Sequence, residues 1–313
     1  MVEDASKWQM ADLITIISVV LNQFADQNAT TPSFFTFSIL HCTACVPCCF
    51  SFYIALNMEK LSGYAIGAAF FIFFGYLVKS TILQYYFYAI KEKTVVTWKL
   101  QPRRMDNVGS NAWKWWLPLL NNKAGRAKDH YILASCNLVI ASLFALVSTQ
   151  LHVIGRSYMV FSSIEAYGLQ NILFDFFLAL TYESVVEYIW HRLMHLRFFY
   201  LRFHKLHHFY KSPEPFDDMY IHPLEAFGYY CILYAPPFLF TCHYFSFIAY
   251  MIVMGICGVL DHSGIKFALP YVYDTEDHDA HHSKFEVNYG FPFPYIDMLC
   301  GTYDGKGFGK KVL

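Results

Sequence analysis

The sequence predicts an all-α fold: an integral membrane helical bundle of about four spans plus a helical hairpin, with a cytosolic histidine-rich cap. Three observations lead there. Hydrophobic residues make up 56% of the 313 positions and charged residues only 15%, against a globular norm of about 25% charged, which leaves too little charge to cover a water-facing surface. The apolar residues gather into runs of membrane length. Eleven of the 14 histidines fall between His191 and His282. The composition excludes a freely soluble enzyme and a disordered chain, and a net charge of −1 gives no pointer to nucleic acid.

The runs can be taken in order, given that a span needs about 20 helical residues. Leu13 to Leu21 is too short and reads as an interfacial helix. Glu3, Asp4 and Asp12 around it speak against a signal peptide. Phe34 to Asn57 is free of formal charge apart from His41, and Ala65 to Ile90 is interrupted only by Lys79, which can snorkel. Tyr131 to Leu151 is the cleanest run. Leu169 to Trp190 starts apolar but carries Asp175, Glu183 and Glu187. Ala226 to Leu260 has no Lys, Arg, Asp or Glu and breaks at Pro236-Pro237, which suits a hairpin.

Orientation follows from the loop Lys91 to Lys128, with nine Lys/Arg against Glu92 and Asp106. The positive-inside rule puts it in the cytosol. Counting spans onward places 191–225 and 261–313 on the same side, with all the histidine boxes. Trp113, Trp115 and Trp116 read as an interfacial anchor on that loop, which offers a surface to anionic lipid or to an acidic redox protein. Lys310-Lys311-Val312-Leu313 resembles a dilysine retrieval signal of the endoplasmic reticulum, and Asn28-Ala29-Thr30, on the cytosolic side, is expected to be unglycosylated. Cys42, Cys45, Cys48 and Cys49 read as membrane packing around Pro47 rather than as a metal site, and no disulfide framework is implied.

The chemistry lies in the histidine spacing. His191-x3-His195 sits where the fourth run leaves the bilayer. His204-x2-His207-His208 follows, and His278-x2-His281-His282 repeats that box; His222 and His262 stand between. On a helix i, i+3 and i+4 share a face, so each box aims imidazoles at one point. Imidazole suits iron, zinc, copper or nickel, and this many converging rings exceed the needs of one zinc, implying two metal ions. A protease H-E-x-x-H is excluded because Arg192 follows the first histidine. The Glu-x-x-His pairs of soluble di-iron bundles are missing from the boxes. His41, His130, His152 and His243 read as ordinary packing residues.

This order of boxes, with His222-Pro-Leu-Glu225, His262-Ser-Gly264, Asn288-Tyr289-Gly290 and the closing Asp297-Met-Leu-Cys-Gly301-Thr302, resembles the fatty acid hydroxylase superfamily, which includes sterol desaturases and 4-methyl sterol oxidases. The resemblance covers about 170 to 305. It implies an N-terminal membrane region, 1–165, with the basic loop at 91–130, and a catalytic domain at 166–313. It further implies a non-haem di-iron oxidoreductase of the endoplasmic reticulum membrane. Such an enzyme uses O2 and electrons from NAD(P)H through cytochrome b5 and its reductase to hydroxylate a lipid, a sterol or sterol intermediate first. Desaturation and fatty-acyl or sphingoid-base hydroxylation are the alternatives within that chemistry. No nucleotide-binding glycine loop is present, so a separate protein supplies the reductant. The ligands it implies are His191, His195, His204, His207, His208, His278, His281 and His282, with His222 and His262 as further ligands or close supports. Relatives with a histidine pair before the last box would want His at 258, where this chain has Gly258. Glu187, Asp261, Asp277 and Asp279 are placed to hydrogen-bond ligand imidazoles. A histidine-rich metal transporter or sensor is the reading of another class; it expects ligands within the spans. A catalytically silent scaffold is disfavoured by the intact boxes.

Overall fold

The computed structural model describes residues 61–102 and 128–305. The interfacial helix at 13–21, Asn28, the run at 34–57 with its cysteines, the tryptophans of the basic loop and the C-terminal lysines lie outside the described residues. The chain divides into two compact units, Met1–Leu61 and Ser62–Leu313, and the elements below belong to the second.

The described chain is mostly helical, and its long helices follow the apolar runs. α1 (Gly63–Leu83) opens at Ser62, whose hydroxyl accepts from the Ala65 N–H, and is prolonged by a π-helical stretch, Gln84–Ile90. α2 is Lys128–Val153 and α3 is Leu169–Met194. The hairpin expected over 226–260 resolves into α4 (Pro223–Tyr234), which has proline in its first turn, a four-residue helix Pro236–Leu239, and α5 (Tyr244–Asp261). Neither Pro236 nor Pro237 has an N–H to continue α4, so the chain turns there. α6 (Thr275–Lys284) is capped by the Asp274 carboxylate and ends at Phe285, φ 69°. α7 is Tyr295–Cys300. β-structure is marginal: β1 (Met159–Val160) pairs in parallel with β2 (Cys242–His243), and β3 (Ala268–Leu269) antiparallel with β4 (Tyr273–Asp274).

Among the described residues, three helices are long and apolar enough to cross a membrane: Gly63–Ile90, Leu133–Val153 and Tyr244–Asp261. α3 has the length, 26 residues, but not the bare composition. Its acids Asp175, Glu183 and Glu187 are buried inward, whereas Leu173, Phe174, Phe177 and Ile189 face outward. Its outer face is therefore as apolar as those of its neighbours. The core lies where α2, α3, α4 and α5 meet, around Ala145, Ala179, Tyr230 and Tyr250. The exterior of α1 exposes Phe70, Phe71, Phe74, Val78 and Ile82, a surface suited to lipid rather than water.

At the end of the bundle away from the histidine boxes, the two isolated histidines are structural. His152 is held between the hydroxyls of Ser148 (2.9 Å) and Ser157 (2.8 Å). His243 caps α5 and donates to the Ser162 carbonyl (2.9 Å).

Candidate metal centre

α3 delivers His191 and His195 from its last turn, His195 being the C-cap. The irregular turns after it carry His204, His207 and His208, the end of α5 gives His262, and α6 supplies His278, His281 and His282. The rings converge in two groups. One contains His191, His195, His204, His208 and His281; the other contains His207, His262, His278 and His282, with the ligand atoms of each group within 4.8 Å of one another. Each H-x2-H-H box is shared: its i, i+4 pair enters one group and its middle histidine the other. His204 and His208 thus join the first group and His207 the second, while His278 and His282 join the second and His281 the first.

The outer ring nitrogens of four ligands are fixed by acceptors. His191 Nδ1 donates to the Tyr289 carbonyl (2.8 Å), His281 Nδ1 to the Val287 carbonyl (2.7 Å), His204 Nδ1 to Glu225 Oε1 (2.5 Å) and His262 Nδ1 to the Gly258 carbonyl (2.8 Å). Asp218 Oδ1 lies 3.2 Å from the same His262 nitrogen. Because a carbonyl can only accept, His191, His262 and His281 carry their proton on Nδ1 and turn a bare Nε2 inward.

The inward atoms fit a cation. The Nε2 atoms of His195, His204 and His208 form a triangle with sides of 2.9, 3.0 and 3.2 Å. Each carries at most one proton or one lone pair, so no assignment makes all three contacts hydrogen bonds. Nitrogens at right angles about a centre ~2.1 Å away, the usual metal–imidazole distance, would stand about 3.0 Å apart. In the second group His207–His262, His262–His278 and His278–His282 are 3.1, 2.9 and 3.1 Å apart. Burial and mutual repulsion hold His204, His207, His278, His281 and His282 well below the usual histidine range, so they are neutral, the ligating form. His262 differs: burial lowers its pKa, but Asp218, the Gly258 carbonyl and Asp261 together outweigh that and raise it.

Two sequence elements brace this arrangement. Asp297 accepts from the N–H groups of Tyr289 (2.8 Å) and Gly290 (2.6 Å) and from the Thr302 hydroxyl (2.7 Å). The closing segment thereby clasps the Asn288-Tyr289-Gly290 loop whose carbonyl holds His191. At His262-Ser263-Gly264 the chain turns with φ +66° at Gly264, and a Cβ there would run into Lys99 Nζ and the Pro213 carbonyl. Lys99 spends its ammonium on Tyr88 Oη (2.6 Å) and that carbonyl (3.0 Å), tying the second histidine box to the turn after α5.

Other residues singled out by sequence fall elsewhere. His222 enters neither group; its ring caps α4 by accepting from Leu224 N–H (3.2 Å) and lies against Phe203. Asp261 accepts from Tyr273 Oη (2.6 Å) and Asp279 from the Gln101 amide (2.9 Å), neither from a ligand ring. Asp277 Oδ2 and Glu187 Oε2 are buried without a hydrogen-bond partner. The carboxylates that do meet ligand rings, Glu225 and Asp218, were missed. The run His222-Pro-Leu-Glu225 held a signal for the first; nothing in the spacing marks the second.

Both groups border a cavity of about 280 Å³. α1, α3, α4 and α5 wall it, with Tyr76, Trp190, Tyr229 and Met254 among a mostly apolar lining. Phe71, Ile252 and Ile256 line it and are also exposed on the outer apolar face, so it opens sideways between α1 and α5.

Residues 176–302 match the family model described as Fatty acid hydroxylase. Over this region, well under half of the chain, the sequence is similar to the fatty acid hydroxylase superfamily. It is 35% identical over 137 residues to a Delta(7)-sterol 5(6)-desaturase of Gibberella zeae, covering 44% of this chain and 39% of that one. It is 29% identical over 151 residues to the lathosterol oxidase of Homo sapiens, covering 45% and 50%. A putative methylsterol monooxygenase of Dictyostelium discoideum is 32% identical over 136 residues, covering 42% and 51%. The chain thus spans about half the length of the curated relatives it matches or less. No solved structure matches it.

Proposed function

We propose that this chain is a membrane-bound oxidoreductase that uses molecular oxygen and two non-haem iron ions to oxidise an unactivated C–H bond of a lipid, with a sterol or sterol intermediate as substrate. The observation that carries this reading is the convergence of nine imidazoles into groups of five and four, both bordering a mostly apolar cavity that opens sideways. The sterol desaturase, lathosterol oxidase and methylsterol monooxygenase names of the relatives support the substrate class. Hydroxylation is the leading reaction. Desaturation is the second, favoured by the name of the Gibberella relative. The transporter reading loses ground because the ligands gather at helix ends rather than along spans.

In this proposal His191, His195, His204, His208 and His281 hold one iron, and His207, His262, His278 and His282 the other. His222 stands behind them, starting the helix that brings Glu225 to His204. Iron bound there would supply the activation of oxygen, which side chains lack. The protein's own part is orientation and exclusion. Acceptors on Nδ1 keep the Nε2 atoms of His191, His204, His262 and His281 inward, and the aromatic and aliphatic walls position the lipid and keep water away. We place α3 as a further span and the histidine end on the cytosolic face of the endoplasmic reticulum, within reach of cytochrome b5 as electron donor.

The test is metal content of untagged protein purified in detergent from iron-replete cells. The expected value is two irons per chain, with both His207→Ala and His278→Ala losing turnover while remaining membrane-inserted. Folded protein without metal would overturn the proposal. An epitope at the C-terminus protected from protease in intact microsomes would overturn the orientation.

A further inference from the structure

Among the described residues, four charged side chains line the cavity: Lys79, Glu187, Asp218 and Glu225. Three of them are engaged. Lys79 Nζ donates to the Gly255 carbonyl, Asp218 meets His262, and Glu225 holds His204. Glu187 is different. It is only 9% exposed, makes no hydrogen bond among the described residues, and has an enclosed Oε2 without a partner. An acceptor sealed in apolar surroundings with no donor is costly to the folded chain. A ligand that brings a donor into the cavity removes that cost.

The position of Glu187 narrows what the donor is. It does not support a ligand ring, because His191, one turn along α3, gives its Nδ1 proton to the Tyr289 carbonyl. It is not a step in a path from bulk water either. Its neighbour one turn the other way, Glu183, is fully buried and accepts from Tyr250 Oη (2.8 Å), which in turn lies 3.1 Å from the Leu233 carbonyl. That chain leads into the bundle core, away from the histidine end. What remains is the occupant of the cavity itself.

We propose that Glu187 reads a hydroxyl group of the lipid substrate. The alcohol O–H donates to the unpartnered carboxyl oxygen of Glu187. The carbon offered to the histidine groups then lies close to that hydroxyl, since four residues of α3 separate Glu187 from His191, a rise of about 6 Å. This rests on the lipid-oxidation reading above and deepens it: the ligand class is a lipid alcohol whose reactive carbon sits a few bonds from its oxygen, not a hydrocarbon, ether or ester.

The experiment measures equilibrium binding to the full chain in nanodiscs with two ligand pairs: lathosterol and its methyl ether, and palmityl alcohol and its methyl ether. Wild type is expected to bind an alcohol about tenfold more tightly than its ether, the worth of one buried hydrogen bond. Glu187→Ala binds both alike, and Glu187→Gln keeps part of the preference because its amide oxygen still accepts. Ligand-free Glu187→Ala melts at or above the wild-type temperature, the opposite of what a structural role gives. Discrimination that survives undiminished in Glu187→Ala overturns the assignment while leaving the sterol reading intact. Glu187-dependent discrimination with palmityl alcohol alone overturns the sterol substrate and upholds the role of Glu187. An absence of preference in wild type for either alcohol overturns the assignment.

Discussion

The two histidine groups are built from the same boxes yet are not equivalent. The first has five rings, the second four. The first is braced by a short contact between His204 and Glu225 (2.5 Å), the second by a longer one between His262 and Asp218 (3.2 Å). The place where sequence reasoning wanted another ligand, Gly258, lies beside the smaller group: its carbonyl accepts from His262 and a Cβ there would stand 3.5 Å from Asp218 Oδ1. The difference teaches where each group can lose a member. A five-ring set keeps four after a single deletion, still a common coordination number, whereas a four-ring set falls to three.

The largest expected effect is therefore in the smaller group. His278→Ala should abolish turnover and lower metal from two ions per chain to one, measured by mass spectrometry of purified protein. His195→Ala, which removes the half-buried member of the larger group, should retain close to two ions and lose roughly 10- to 100-fold in turnover, the range typical of perturbed metal surroundings. Equal metal loss in the two variants would erase the distinction. Next come the braces. Glu225→Gln should weaken metal retention at least about tenfold in chelator competition, and Asp218→Asn should do so by less, since its contact is longer and partly exposed. The reverse order would break the comparison. Smallest is Gly258→Ala, whose Cβ meets only ordinary contact distances. It should leave metal content unchanged and stabilise α5 by up to ~1 kcal/mol in thermal unfolding, the usual gain of alanine over glycine within a helix.

Much of this was legible before any coordinates. The apolar runs gave α1, α2, α3 and α5 because helix length and bilayer thickness leave little freedom. The i, i+4 spacing gave the convergence of the boxes because helical periodicity is fixed. What spacing could not give is the division of each box between two groups, which depends on how α6 and the turns at 200–209 approach one another across a gap of some 70 residues of chain. His222 looked like a ligand because it sits among ligands in sequence, but Pro223 makes it a helix start, and its Nδ1 accepts the Leu224 N–H. Glu187 has the spacing of a ligand support. Its partner is missing because the Tyr289 carbonyl, a hundred residues later, had already taken the proton of His191, and a main-chain acceptor leaves no mark in a side-chain pattern.

The sharing of the boxes also fixes the order in which the protein can be made. Neither group is complete until His281 and His282 have been synthesised, and both then close over everything from α3 to α6, the α4–α5 hairpin included. The hairpin must already be seated when the ions arrive, because metal bound before α6 would find four rings of the first group and only two, His207 and His262, of the second. On the di-iron proposal, cofactor insertion is thus a late, sealing step: it would fasten segments already assembled, and a chain stalled before α6 would leave uncapped imidazoles exposed to whatever metal comes first.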